Sequence, residues 1–330
     1  MQNNTFPITT ETNVVCYLCG EGGAIIYRNC VDHWFGAPGE WNFKKCTAIN
    51  CGHVWLDPRP HVDDIGKVYR NYYTHDANDT HLTGWLKILR TVLHRFSLLG
   101  LYKERQRYKR MYLDDIVHGS LLEVGCGNGK RLNRLRDLGW KVTGQEIDPV
   151  AYEFVTHNLG IFVYLGSLES LNISEQYDVI LMSHVIEHVY DPAALLASCF
   201  RLLKQDGLII LLTPNVDSYG HRKFRAGWRG LEPPRHLHLF TSKTLTRLMQ
   251  KSGFQCQKSW TTPITAFGIG QNSFVPTDSV TKQQQSITYR DIFRGFWFQL
   301  FARIAFVLDK QSGEECVLIA RKQRIDTELK

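Results

Sequence analysis

The chain has 330 residues, 43% of them hydrophobic, and a formal net charge of +7. This length and composition suit a globular protein of one large domain or two modest ones. They exclude a membrane-spanning one, since no apolar run reaches the roughly 18–20 residues that a bilayer crossing needs.

The first residues, Met-Gln-Asn-Asn-Thr, lack the basic and apolar regions of a signal peptide, so a cytoplasmic chain is expected. Nine cysteines in that compartment point to metal rather than disulfides. Cys16 and Cys19 form a C-x-x-C knuckle, and Cys46 and Cys51 form a second pair. Two thiolate pairs on tight turns suit tetrahedral zinc, which predicts a zinc ribbon over residues 14–58 in an N-terminal module, 1–60. The second pair is wider than a C-x-x-C knuckle, so His53, Cys30 and His33 stay open as substitute ligands, and a ribbon without metal stays open as well.

A helical connector is expected over 61–115. Trp85, Leu86, Leu89, Val92, Leu93 and Phe96 recur at helical spacing, with Lys87, Arg90 and Arg95 between them. The basic run Lys103–Arg110 is either a solvated helix face or a contact for phosphate groups.

The main domain is expected over 116–330. A strand, Leu121-Leu-Glu-Val, runs into a loop with glycine at Gly125, Gly127 and Gly129, and a helix follows over Arg131–Leu138. The spacing departs from the dinucleotide fingerprint, because Lys130 stands where the third glycine would fall. Glu123 at the strand end would repel a pyrophosphate and suits a ligand with an ammonium and a sulfonium. A second strand, Lys141–Gln145, ends at Glu146, an acid placed to bind ribose hydroxyls. Tyr177–Ser183 is the fourth strand, which sets Ser183, His184, Glu187 and His188 at the mouth of the site. The run from His184 is expected to open a helix, on which positions i, i+3 and i+4 share a face. After the fifth strand, Pro234-Arg-His236-Leu-His238 offers two more imidazoles, of which His236 is preferred. Phe254–Thr261 and Cys316–Lys322 are expected to close the sheet, with an insertion at 262–312 between them. That insertion holds a polar loop, Gln271–Gln285, and a second amphipathic helix, Ile292–Leu308.

Leu121–Gly129, Thr143–Pro149, Tyr177–Pro192 and Leu202–Asn215 together resemble class I S-adenosylmethionine-dependent methyltransferases. The phrases "CGHVWLDPRP", ending at Pro60, and Gly227–Thr241 resemble the zinc-ribbon-bearing subset found in sugar, polysaccharide and secondary-metabolite pathways. The resemblance implies an α/β fold, with a Rossmann-like seven-stranded sheet, a small ribbon and a helical insertion. It implies that Glu123 binds the methionine amino group, that Glu146 binds the ribose and that Ser167 and Leu168 flank the adenine. Gly125, Cys126, Gly127, Gly129, Ile147 and Ser183 complete the expected cofactor surface. Many members carry an acid at the place of Ser167.

Two readings of the acceptor side follow. In one, His184, His188 and His236 do proton work on an acceptor hydroxyl. In the other, Glu187, His188 and His236 hold a divalent metal, as in the similar ubiquinone-pathway and small-RNA methyltransferases; those have an acid where this chain has His184. The expected reaction is methyl transfer from S-adenosylmethionine to a small acceptor, first a hydroxyl of a sugar or glycan precursor, or a carbon. The alternatives are an RNA, a quinone or phenol, or a non-catalytic scaffold. Nucleic acid is disfavoured as a partner because the candidate stacking aromatics lie on helices. The tryptophans and arginines of the two amphipathic helices leave peripheral membrane contact and a lipid-linked acceptor open.

Overall fold

The computed structural model of the chain describes residues 7–70, 84–273 and 287–322. Most of the polar loop expected at Gln271–Gln285 lies outside these residues.

The N-terminal part is built from short strands: β1 (Thr10–Glu11), β2 (Gly23–Cys30), β3 (Trp41–Cys46), β4 (Val54–Leu56) and β5 (Arg59–Pro60). In β3 the alternating Trp41 and Phe43 point inward and the residues between them outward, the period of a half-buried strand. β2, β3 and β4 are successive antiparallel neighbours, and β1 pairs with β5.

The main sheet follows, from β6 (Ser120–Val124), β7 (Lys141–Glu146), β8 (Val163–Leu165), β9 (Tyr177–Ser183) and β10 (Leu203–Pro214). After β11 (His238–Leu239) come β12 (Phe254–Thr262) and β13 (Glu315–Lys322). The order across the seven strands is β8-β7-β6-β9-β10-β13-β12, with β13 antiparallel to both of its neighbours. β6 and β9 are buried over most of their length as nearly unbroken apolar runs, because helices or the cysteine module cover both faces of the sheet. Leu122, Val124, Ile180 and Met182 face one side; Leu121, Val179 and Leu181 face the other.

The cysteine module shares this core. Cys16, Leu18, Cys46, Cys51 and Trp55 belong to the same apolar cluster as Leu122, Ile180 and Met182. Its sheet also takes its fourth strand from far along the chain: β11 lies antiparallel to β4, with His238 opposite Trp55.

The expected connector helix is divided. It runs Gly84–Ser97, breaks at Gly100, where φ is 82°, and resumes as Tyr102–Lys109. Two helices, Ala266–Asn272 and Tyr289–Leu308, lie between β12 and β13. One local expectation fails. The run from His184 is a turn, because His184 itself has φ of 56°, outside the right-handed helical region. The helix starts at Pro192, where Asp191 accepts from the amides of Ala193 and Ala194 and proline occupies the first turn.

Candidate active site at the switch point

Strand order reverses between β6 and β9, and in such sheets the ligand crevice opens beyond the carboxyl ends of the strands there. Glu123, the glycine loop, Ser183 and His184 all stand at that place. Gly127 and Gly129 have φ of 51° and 68°. A Cβ on Gly127 would enter open space, whereas one on Gly129 would lie 2.8 Å from Val155. So Gly127 keeps the surface of the loop clear, and Gly129 lets the helix Pro149–Leu159 pack tightly against the loop.

Glu146 ties the loop to β7. One carboxylate oxygen accepts from the Gly127 amide at 2.7 Å, and the other from the amides of Ile147 and Asp148 at 2.8 and 3.0 Å. Ile147 beside it is 64% exposed, an apolar platform at the strand end. Gln145 accepts from the Gly125 amide at 3.1 Å.

Glu123 is fully buried. Its Oε1 pairs with Arg131 of the following helix, and its Oε2 has no hydrogen-bond partner among the described residues. Burial pushes this carboxyl up, against the pull of Arg131. An orphaned carboxylate oxygen at the end of a central strand fits a ligand ammonium, so the residues present suit S-adenosylmethionine. Arg131 also donates to Ser183 Oγ at 3.0 Å, which joins the expected Ser183 to the Glu123 side of the crevice. The other expected contacts are placed differently. Cys126 and Leu168 turn their side chains into the core, and Ser167 is exposed and bonded to Ser170.

Across the crevice lies a charged cluster. His184 Nε2 is 3.1 Å from Glu315 Oε1, and its Nδ1 is 3.3 Å from Glu187 Oε1. Burial opposes the charged imidazole, but Glu315 and Glu187 outweigh it and push His184 up to about 10. Glu187 is fully buried, accepts from Thr213 at 2.9 Å, and is held down at about 2, since the three nearby histidines overcome its burial.

His188 and His236 meet edge to face, with ring centroids 4.6 Å apart. His236 Nδ1 lies 2.8 Å from the Gly230 carbonyl and His188 Nδ1 lies 3.1 Å from the Arg235 carbonyl. A carbonyl can only accept, so both Nδ1 atoms donate and both Nε2 atoms keep a lone pair. Burial, reinforced by His188, holds His236 down at about 4, so it is neutral at physiological pH. Glu187, His188 and His236 each offer a ligand atom, all within 4.8 Å of one another, a carboxylate–bis-imidazole set that fits a divalent cation. His238 does not join them; it lies on β11, in the four-stranded sheet, 3.2 Å from His53.

The second cluster is made of thiols alone. Cys16, Cys19, Cys46 and Cys51 come within the same 4.8 Å limit, with Cys16 Sγ 3.6 Å from Cys51 and Cys19 Sγ 3.4 Å from Cys46. Zn–S bonds of about 2.3 Å in a tetrahedron put sulfurs roughly 3.8 Å apart, so the set fits zinc. The long 46–51 spacing is absorbed by a turn closed from Cys51 N to the Ala48 carbonyl. Of the residues left open as substitutes, His53 pairs with His238 and Cys30 packs in a different core cluster.

Sequence reasoning missed Glu315, Arg131, Tyr108 and Tyr69. Tyr108 donates to Glu315 at 3.2 Å, and the Tyr69 hydroxyl is 3.0 Å from His188 Nδ1. The adjoining acids Glu314 and Glu315 before the last apolar strand were the available signal; nothing local marks the two tyrosines.

A family model described as a methyltransferase domain matches residues 93–259. The chain is 28% identical over 139 residues to a probable S-adenosylmethionine-dependent methyltransferase of Mycolicibacterium smegmatis, covering 42% of this chain and 52% of that protein. It is 29% identical over 129 residues to a ubiquinone biosynthesis O-methyltransferase of Rickettsia bellii, covering 38% and 53%. The chain thus spans about half the length of these curated relatives. Among solved structures, a SAM-dependent methyltransferase of Thermotoga maritima aligns with a TM-score of 0.45 at 20% identity, covering 70% of this chain and 92% of that one.

Proposed function

The chain belongs to the methyltransferase-domain family, and from that premise we propose that it transfers a methyl group from S-adenosylmethionine to the hydroxyl of a small acceptor. The observation that carries this reading is the placement, beyond the ends of the neighbouring strands β6 and β9, of Glu123 with its orphaned oxygen and of the Glu187–His188–His236 set. Glu123 would hold the amino group of the donor, and the exposed Ile147 would lie against its flat base. When bound, S-adenosylmethionine supplies a methyl on a sulfonium, already activated for in-line displacement, so the protein's main task is alignment.

An acceptor hydroxyl must still lose a proton. His184 is unsuited to take it at neutral pH, since Glu315 and Glu187 keep its imidazole charged. The first reading of His184 as a general base therefore passes to His236, whose Nε2 is neutral and unprotonated. His184 instead fixes the two carboxylates. The lone pair of His236 has one alternative use: Glu187, His188 and His236 would hold a divalent cation, and the proton of the polarised hydroxyl would then leave to solvent rather than to His236. The relatives named as ubiquinone biosynthesis O-methyltransferases support a phenolic acceptor. A sugar hydroxyl is the second reading, supported by the way the segment after His236 is built into the ribbon sheet. The four thiols would carry a structural zinc that braces this segment.

The test is transfer of label from S-adenosylmethionine to a panel of catechols, nucleotide-sugars and short RNA, with and without chelator. Label in catechols alone supports the phenolic reading; label in nucleotide-sugars alone replaces it with the second. Label in RNA only, or cofactor binding without transfer to any of them, rejects both.

A further inference from the structure

The helices Gly84–Ser97 and Tyr289–Leu308 pack against each other, and Arg303 of the second donates to the Ser97 carbonyl of the first at 3.0 Å. Each buries one row of side chains and leaves a second, large apolar row outside. In the longer helix Ile292, Gly295, Phe298, Gln299 and Ala302 are buried, while Trp297, Phe301 and Ile304 are exposed. In the shorter one Trp85, Ile88 and Phe96 are exposed, at the spacing of a single helical face. Trp85 is 62% and Trp297 55% accessible, so a second apolar row beyond the one that packs on the protein is left exposed, the mark of a docking surface.

The charge beside this face says what it meets. Helix Gly84–Ser97 carries Lys87, Arg90 and Arg95 and no acid. The single acid of Tyr289–Leu308, Asp291, caps its own helix and pairs with Arg294. A second copy docked here would set cations against cations with no acid to neutralise them. No helix among the described residues is long and apolar enough to cross a membrane, so the face would lie on a bilayer rather than in one.

We propose that these two helices form a peripheral docking face for an anionic lipid surface. The aromatic side chains enter the headgroup boundary, and Lys87, Arg95 and Arg290 meet the lipid phosphates. This inference is independent of which acceptor is methylated.

Co-sedimentation of the full chain with phosphatidylcholine vesicles, with and without phosphatidylglycerol, tests it. The expected result is binding that requires phosphatidylglycerol and weakens with salt. Trp85→Ala with Trp297→Ala should weaken it more than about tenfold. Each of Lys87→Glu and Arg95→Glu should weaken it by about fivefold or more. Melting temperature and cofactor binding, measured on each variant, should be unchanged, which separates a lost surface from a lost fold. The proposal is overturned if the chain ignores anionic vesicles, or if binding survives the double tryptophan change. It is also overturned if light scattering shows a self-associated chain that the double change makes monomeric.

Discussion

His184 and Glu315 stand 131 positions apart in the chain, yet their side chains form a 3.1 Å contact at the mouth of the crevice. β9 delivers the histidine and β13, from the far side of the helical insertion, delivers the acid. His184 also holds a left-handed backbone, a conformation that persists only where surrounding contacts enforce it. The contact makes His184 a cation. Replacing Glu315 by glutamine should lower the His184 pKa from about 10, read by NMR titration. It should cut kcat by roughly tenfold to a hundredfold, with cofactor affinity little changed. Because the folded pKa is raised, the pair's stabilisation is complete below about pH 6.5 and fades as pH rises through about 10. The variant should lack that alkaline decline. A wild-type pH dependence in the variant would remove Glu315 from the site.

The glycine loop separates packing from ligand contact. Gly129→Ala forces a methyl to within 2.8 Å of Val155 at positive φ, so stability should fall by about 2–4 kcal/mol. Gly127→Ala meets no protein atom and should cost about 1–2 kcal/mol. Its methyl would, however, stand in the cofactor's place and weaken S-adenosylmethionine binding at least about tenfold. Calorimetry and denaturant unfolding on both variants should give this crossed pattern; equal losses of affinity would show that the loop does not face the cofactor.

The thiol cluster should bind zinc. Elemental analysis of protein purified without chelator should find the metal, and Cys16→Ser should remove it while Cys30→Ser retains it. Because the module shares the core of the main sheet, metal loss should spread into it. A fall in Tm of roughly 10 °C is expected. Unchanged melting after complete zinc removal would reduce the module to an ornament.

Acid should loosen the outer helix. Burial, reinforced by Arg105, Arg90 and Lys109, holds His94 down at about 4, where its ring packs 4.8 Å from Phe267. The unfolded chain takes up this proton near pH 6.5 and the folded one only near 4, so stability drains away as pH falls across that window. Unfolding midpoints at neutral and mildly acidic pH should differ less in His94→Gln than in the wild type. An identical acid loss in both would show that other groups carry it.

The glycine loop and the acids at the two strand ends were legible in the sequence because they are local. Strand, acid, glycine loop and second acid lie within Leu121–Glu146, and strand period and turn chemistry place them with little help from the rest of the chain. The four clustered cysteines were legible for the same reason, each pair being a single tight turn. The acceptor half was read only as a collection of residue types. His184, Glu187 and His188 were found, but on a helix that does not form, and His184 was given the role of a base.

What the sequence determined by itself was therefore the periodicity and punctuation that build a parallel sheet with a donor cradle at its carboxyl edge. What only the tertiary structure decided was protonation and partnership. His184 became a cation because Glu315 arrives from the last strand. His236 became neutral because burial and the neighbouring His188 disfavour its charged form. His238, two residues on, was taken into the ribbon sheet instead. Those outcomes depend on distances between residues remote in the chain and on how much water the fold leaves around them, and neither is written in local sequence.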